Sequence, residues 1–240
     1  MAPILAFDGI SKRFGAIVVA NHIDLALGER EALGVIGPNG AGKTTLFGIA
    51  TGTVAPDRGR VLFDGADITR LTPEQRCRRG IARSFQVPQP FSGMTVFENL
   101  VVAAAFAGGH REKEVYARCV DLLDQCALSG KANRPAGALT LLDRKRLELA
   151  RALATRPRLL LLDEIAGGLT QAECQSLIET IRTISAQGVG IIWIEHVVHA
   201  LLAFVDRLIA LNFGKIVAQG DPAEVMRSSE VQTIYMGVPA

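Results

Sequence analysis

One run constrains this chain more than any other. Gly37, Pro38, Asn39, Gly40, Ala41, Gly42, Lys43, Thr44 and Thr45 follow one another between an apolar stretch and a helix-competent one. The residues before it, Glu31-Ala-Leu-Gly-Val-Ile36, read as a buried strand, and Thr45-Leu-Phe-Gly-Ile-Ala50 reads as the opening of a helix. Glycines at 37, 40 and 42 let the backbone curl tightly and aim several N–H groups at an anion, at the positive end of the helix dipole. Lys43 is placed to reach the β- and γ-phosphates of a nucleotide, and the Thr44 hydroxyl to complete a Mg²⁺ shell. The plain alternative is a Gly-rich turn before a helix. Strand before and helix after favour phosphate binding.

Composition fits one large domain, or a domain with a sub-domain. The chain has 240 residues, 49% hydrophobic and 21% charged. Its 26 basic and 24 acidic residues leave a net charge of +2, which argues against a polyanionic partner. Arg76, Arg78, Arg79 and Arg83 cluster, as do Arg144, Lys145 and Arg146. Interleaved with apolar residues, they read as solvated helix faces, so no nucleic-acid partner is expected. Cys77, Cys119, Cys126 and Cys174 have no C-x-x-C spacing and read as buried or free thiols of a reducing compartment. No secretory signal opens the chain, and no apolar run reaches the roughly 18 residues needed to cross a bilayer. The expectation is a soluble protein unless something carries it to a membrane.

Short strands are expected at Ile4–Phe7, Ala16–Ala20, Ile23–Leu27, Ala32–Ile36 and Val61–Asp64. From about residue 92 to 156 the pattern is helical, with capping-box spacings at Thr95-Val-Phe-Glu98 and Thr140-Leu-Leu-Asp143. Strand-like runs return at Leu159–Leu162, Gly190–Ile194 and Leu208–Leu211, with helical stretches at 171–187 and 196–205 between them. That alternation predicts an α/β fold with a mostly parallel sheet between helices, a strand-rich N-terminal layer and an inserted helical block. A hairpin turning near Gly214 and a short helix capped by Asp221 complete the expected plan.

The segment Arg158-Leu-Leu-Leu-Leu-Asp163-Glu164 bears on hydrolysis. Four apolar residues predict a buried strand, and two carboxylates emerge at its C-terminal end, where ligands sit in open α/β sheets. Asp163 can orient a Mg²⁺ through its water shell, and Glu164 can take a proton from the attacking water. Acidic residues end many strands; following a phosphate loop, these gain catalytic meaning. A GTP-binding switch needs an Asn-Lys-x-Asp run, and none of the six lysines follows an asparagine. A small-molecule kinase rarely keeps a general base beside its metal-site Asp. Water-activating ATPases remain.

At this point the chain resembles the ATP-binding subunit of an ABC transporter from about residue 4 to 237. The resemblance implies a P-loop ATPase fold, with residues 1–87 and 157–240 forming a RecA-like core plus β layer and 88–156 a helical sub-domain. It implies ATP and Mg²⁺ as ligands. Phe14, in Ser11-Lys-Arg-Phe-Gly15, matches the family's adenine-stacking aromatic. Gln86, in Ala82-Arg-Ser-Phe-Gln-Val87, matches the glutamine that touches Mg²⁺ and the attacking water. His196, after Ile191-Ile-Trp-Ile-Glu195, matches the switch histidine that holds the γ-phosphate and the water. His22, His110 and His199 match nothing and read as structural.

The signature segment departs from the family pattern. Leu139-Thr140-Leu141-Leu142-Asp143 stands where relatives carry Leu-Ser-Gly-Gly-Gln, the contact to the γ-phosphate held by the opposite subunit. Thr140 keeps the hydroxyl. Leu142 replaces a glycine, and Asp143 brings a negative charge that repels phosphate unless it turns back to cap the helix. Ile165-Ala-Gly-Gly-Leu-Thr170 also ends in Thr where many relatives have Asp.

Within the family, Phe85-Gln86-Val87, Phe91-Ser-Gly-Met-Thr-Val-Phe-Glu-Asn-Leu100, Arg146-Leu-Glu-Leu-Ala150 and Ile234-Tyr235-Met-Gly237 most resemble the ATPases of bacterial branched-chain amino-acid uptake. That likeness implies a second ATPase subunit, like or unlike, and two multi-span permease subunits fed by a periplasmic solute-binding protein. The chain would then lie peripherally on the inner face of the cell membrane. Related systems carry small amides and carboxylates. Lipopolysaccharide export, a soluble ABC ATPase outside transport and a nucleotide-binding pseudo-ATPase are the competing readings.

Overall fold

In the computed structural model, residues 2–108 and 111–236 are described. His110 and Gly237, both touched by the sequence reading, lie outside them. The chain opens with β1 (Leu5–Phe14) and β2 (Ile17–Leu27), then β3 (Ala32–Ile36), α1 (Lys43–Thr51), β4 (Arg58–Phe63) and β5 (Ala66–Asp67). Next come α2 (Pro73–Arg78), β6 (Ile81–Arg83), α3 (Val96–Gly108), α4 (Glu112–Gln125) and α5 (Leu141–Ala154). The rest is β7 (Leu159–Asp163), α6 (Gln171–Ala186), β8 (Gly190–Ile194), α7 (Val198–Leu202), β9 (Arg207–Asn212), β10 (Lys215–Gly220), α8 (Pro222–Arg227) and α9 (Ser229–Met236).

Two sheets organise these elements. The central one runs β10-β9-β3-β8-β7-β6, parallel throughout except for the β9–β10 hairpin. The other runs β2-β1-β4-β5 and is antiparallel. Side chains alternate along a strand, so a sheet covered on both faces needs apolar residues at every position. In β7, Leu159 and Leu161 face the antiparallel layer and α1, while Leu160 and Leu162 face the helices, and all four are fully buried. The second face continues into α3, α4 and α5 through Leu100, Leu122 and Leu147, which share one apolar cluster with Leu160 and Trp193.

Several local expectations are corrected. The N-terminal strands are two long, bent ribbons, because Gly9 and His22 take left-handed φ and the β1–β2 register shifts between Phe7 and Arg13. Helix α1 begins at Lys43, two residues before the expected Thr45. Strand β6, unforeseen, takes the sheet edge beside β7. Helix α7 begins only at Val198, because the Glu195 carboxylate accepts the main-chain N–H groups of His196 and Val197.

The basic clusters are not simply solvated faces. Arg76 is 1% exposed; its guanidinium donates to the carbonyls of Ile49 and Ala50 at the C-terminal end of α1, and to those of Thr69 and Leu71. A cation there meets the negative end of the helix dipole and satisfies carbonyls that have no intrahelical partner. Lys145 and Arg83 are also drawn inward, to the site described below. The cysteines are free thiols, all buried except the half-buried Cys77.

Removing Arg76 leaves buried carbonyls unpaired, so Arg76→Met should cost about 3 kcal/mol of unfolding free energy. Arg78→Ala, which breaks only an exposed ion pair with Glu74, should cost less than about 1 kcal/mol. Urea denaturation of both variants checks the contrast.

Candidate nucleotide site

The phosphate loop hangs between β3 and α1. Gly42 is the N-cap of α1 at φ +106°, and no side chain caps the helix, so its first N–H groups open outward. Close packing, as well as φ, demands glycine here. A Cβ on Gly42 would stand 2.1 Å from the Val19 carbonyl oxygen, and one on Gly37 would stand 2.4 Å from that of Leu211. The loop is also stitched from outside, with the Gly214 N–H donating to the Ala41 carbonyl at 3.1 Å. A hollow of about 170 Å³ lies over it, lined by Val19, by Asn39 through Thr45, and by Glu164.

Lys43 is curled into the loop. Its Nζ donates to the carbonyls of Gly37 at 2.7 Å and Pro38 at 3.1 Å. Burial holds its ammonium below the ordinary lysine value, while the charges of Glu164 and Asp163 pull the other way. Thr44, one position on, is exposed at the start of α1.

Glu164, which also lines the hollow, follows the C-terminal end of β7, and β7 and β8 are parallel neighbours. The Glu164 N–H continues their ladder to the Ile194 carbonyl at 2.8 Å, and Glu164 itself takes φ +46°. This left-handed turn directs its carboxylate out of the strand toward the loop. Glu164 Oε1 lies 2.6 Å from His196 Nε2, and Oε2 accepts from Gln86 Nε2. The fold therefore brings Gln86, Glu164 and His196 into direct contact, across loops that follow β6, β7 and β8. Asp163 is 4% exposed and paired with Arg83 Nη2 at 2.5 Å, a partner the sequence reading did not anticipate.

A phosphate chain with a hydrated Mg²⁺ fits these residues. Glycine packing leaves backbone room, the uncapped helix supplies donors, Lys43 and Thr44 line the hollow, and the Asp163 carboxylate lies within the field of Lys43. Among the described residues no cluster of three or more His, Cys, Asp or Glu could hold a metal. A magnesium ion here would share its shell with phosphate oxygens and water.

Phe14 and Thr140 lie outside this hollow. Phe14 ends β1 on the same hairpin as Val19, half exposed, with Lys12 Nζ 5.3 Å from its ring centroid. Thr140 is the N-cap of α5 and donates its hydroxyl to Asp143 Oδ2 at 2.8 Å. That carboxylate has turned back, as capping requires: Asp143 is 3% exposed and paired with Lys131 Nζ at 2.5 Å. Thr170 plays the equivalent part at α6, in a full capping box with Glu173. The contributions of Arg83, Lys131, Lys145 and Glu195 escaped the sequence reading, because each depends on partners distant in sequence or on burial.

Comparison with known proteins was consistent. The family model described as ABC transporter matches residues 20–167. The chain is 35% identical to the high-affinity branched-chain amino acid transport ATP-binding protein BraF of Pseudomonas aeruginosa, over 98% of each. It is 36% identical to the corresponding LivG of Salmonella typhimurium, again over 98% of each. Identity to the lipopolysaccharide export system ATP-binding protein LptB of Haemophilus influenzae is 31%, over 98% of this chain and 97% of that protein. A crystal structure of the ADP conformation of an ATP-binding cassette superposes with a TM-score of 0.91 at 30% identity, covering 99% of this chain and all of the other. Cradle, carboxylates and full-length similarity converge: the chain belongs to the ABC transporter family, as an ATP-binding subunit.

Proposed function

We propose that this chain binds ATP with Mg²⁺ at the Gly37–Thr45 loop, hydrolyses it, and thereby powers import of branched-chain amino acids or related small amides and carboxylates. One observation carries the hydrolytic part: Glu164 and the phosphate loop line the same hollow. The identities to BraF and LivG, each above the identity to LptB, support import over export.

In this reading the main-chain N–H groups of the loop and Lys43 bind the phosphates, and Lys43 exchanges its loop carbonyls for phosphate oxygens. Bound Mg²⁺ supplies charge neutralisation, with Thr44, Gln86 and Asp163 around it. Glu164 takes the proton of the attacking water, while His196 and Gln86 hold that water in line. Both now rest on the carboxylate of Glu164; admitting a water requires one of them to swing away. Phe14 stacks on adenine once Lys12 yields the ring face. Thr140 faces the nucleotide of a second ATPase subunit, like or unlike this one.

Residues 88–156 act as the helical sub-domain and the remainder as the core. Between the two parts lies a cleft of about 270 Å³ whose walls include Thr51, Pro73, Phe85, Ala103 and Arg151. Phe85, on the cleft wall, and Phe91, stacked on the Arg151 guanidinium, are about half exposed, and Val87 between them in sequence is exposed too. An apolar rim of this kind supports docking of multi-span permease subunits. Among the described residues no helix is long and apolar enough to cross a membrane, so attachment to the inner face of the cell membrane would run through those partners. A periplasmic solute-binding protein would deliver the cargo.

Glu164→Gln should keep ATP binding but turn over at least about a hundredfold slower, as phosphate release assays will read. Lys43→Ala should lose most of the thermal stabilisation that ATP gives the wild-type protein. Deleting the gene should abolish binding-protein-dependent uptake of labelled leucine or a related amide; intact uptake of all of these would overturn the import reading.

A further inference from the structure

Two buried charges take no part in the chemistry above. Lys145, on α5, is 3% exposed, and Glu195, at the end of β8, is 1% exposed. Burying a lone charge costs several kcal/mol, so each needs compensation. Burial lowers the Lys145 ammonium, with the carboxylate of Glu195 and then that of Glu164 opposing it. Burial pushes Glu195 up, and main-chain donors, Ala166 first, hold it back.

Their hydrogen bonds fall on the backbone that carries the catalytic pair. Lys145 Nζ donates to the Glu164 carbonyl at 3.3 Å. Glu195 Oε1 accepts the Ala166 N–H at 2.6 Å, and Oε2 accepts the His196 N–H at 3.1 Å. Glu164 needs such support, because a non-glycine residue in the left-handed region persists only where its surroundings over-determine it.

We infer that Lys145 and Glu195 are positioning residues that fix the backbone of Glu164 and His196, so that carboxylate and imidazole meet at the reacting water. Lys145 adds a link between α5, whose N-terminus carries Thr140, and this chain's own catalytic carboxylate. The inference rests on the proposed role of Glu164 as general base.

Steady-state ATP hydrolysis separates positioning from simple core stability. Lys145→Met should lower kcat by roughly ten- to hundredfold, since small misplacements of reacting groups are that costly. KM for ATP and ADP affinity should stay within about twofold of wild type, because the phosphate loop is untouched. The double variant K145M/E195Q, which removes both buried charges, should regain thermal stability without regaining kcat, and Lys145→Arg should recover part of the rate. A double variant that regains stability and kcat together would reduce the pair to a structural role and overturn the inference. So would wild-type kcat in a folded K145M. If K145M does not fold, the double variant decides alone. Glu164→Gln run alongside isolates the underlying reading. An inactive E164Q beside a fully active K145M sinks only this inference, whereas an E164Q as fast as wild type sinks both.

Discussion

Parallel pairing of β3, β8 and β7 is the constraint on which the rest of the structure depends. It sets the C-terminal ends of those strands side by side, so the loop after Ile36, the carboxylates after Leu162 and the imidazole after Glu195 emerge on one edge of the sheet. Parallel strands need both faces covered. The antiparallel layer with α1 covers one face and the helices from α3 onward cover the other. Apolar burial at roughly 25 cal/mol per Å² drives this layering, and the polar edge inherits its geometry from it.

Charges at that edge, and at the start of α5, are handled by burial with partners. Asp163 meets Arg83, Asp143 meets Lys131, and Lys145 lies within the field of Glu195 and Glu164. Breaking one partner of such a pair typically costs 3–5 kcal/mol, against less than about 1 for an exposed pair such as Arg78–Glu74. The signature segment shows the same economy of charge. Asp143 turns back onto the Thr140 hydroxyl and the Lys131 ammonium, and Leu142 packs against the main apolar cluster. The helix start is intact as a cap.

Much of the fold was legible because its signals are local. Strands β3, β7 and β8 are continuous apolar runs, the loop is marked by glycines that only a tight turn explains, and the starts of α3 and α5 carry hydroxyl–carboxylate caps. Strand β6 was not legible, since three residues hold no periodicity. The burial of Arg76 was hidden because its acceptors come from the end of another helix. Phe14, Gln86 and His196 were found by likeness to a family, and nothing in their immediate neighbours names a role.

By itself the sequence determined which segments are buried strands, where the phosphate loop stands and which acids follow it, because periodicity, glycine and capping act within a few residues. Tertiary structure alone decided that Gln86 and His196 converge on Glu164, that Asp163 is shared with Arg83, and that Lys145 and Glu195 bond the backbone of Glu164, Ala166 and His196. Those contacts join residues far apart along the chain, and their existence follows from strand order and burial, which no local pattern encodes.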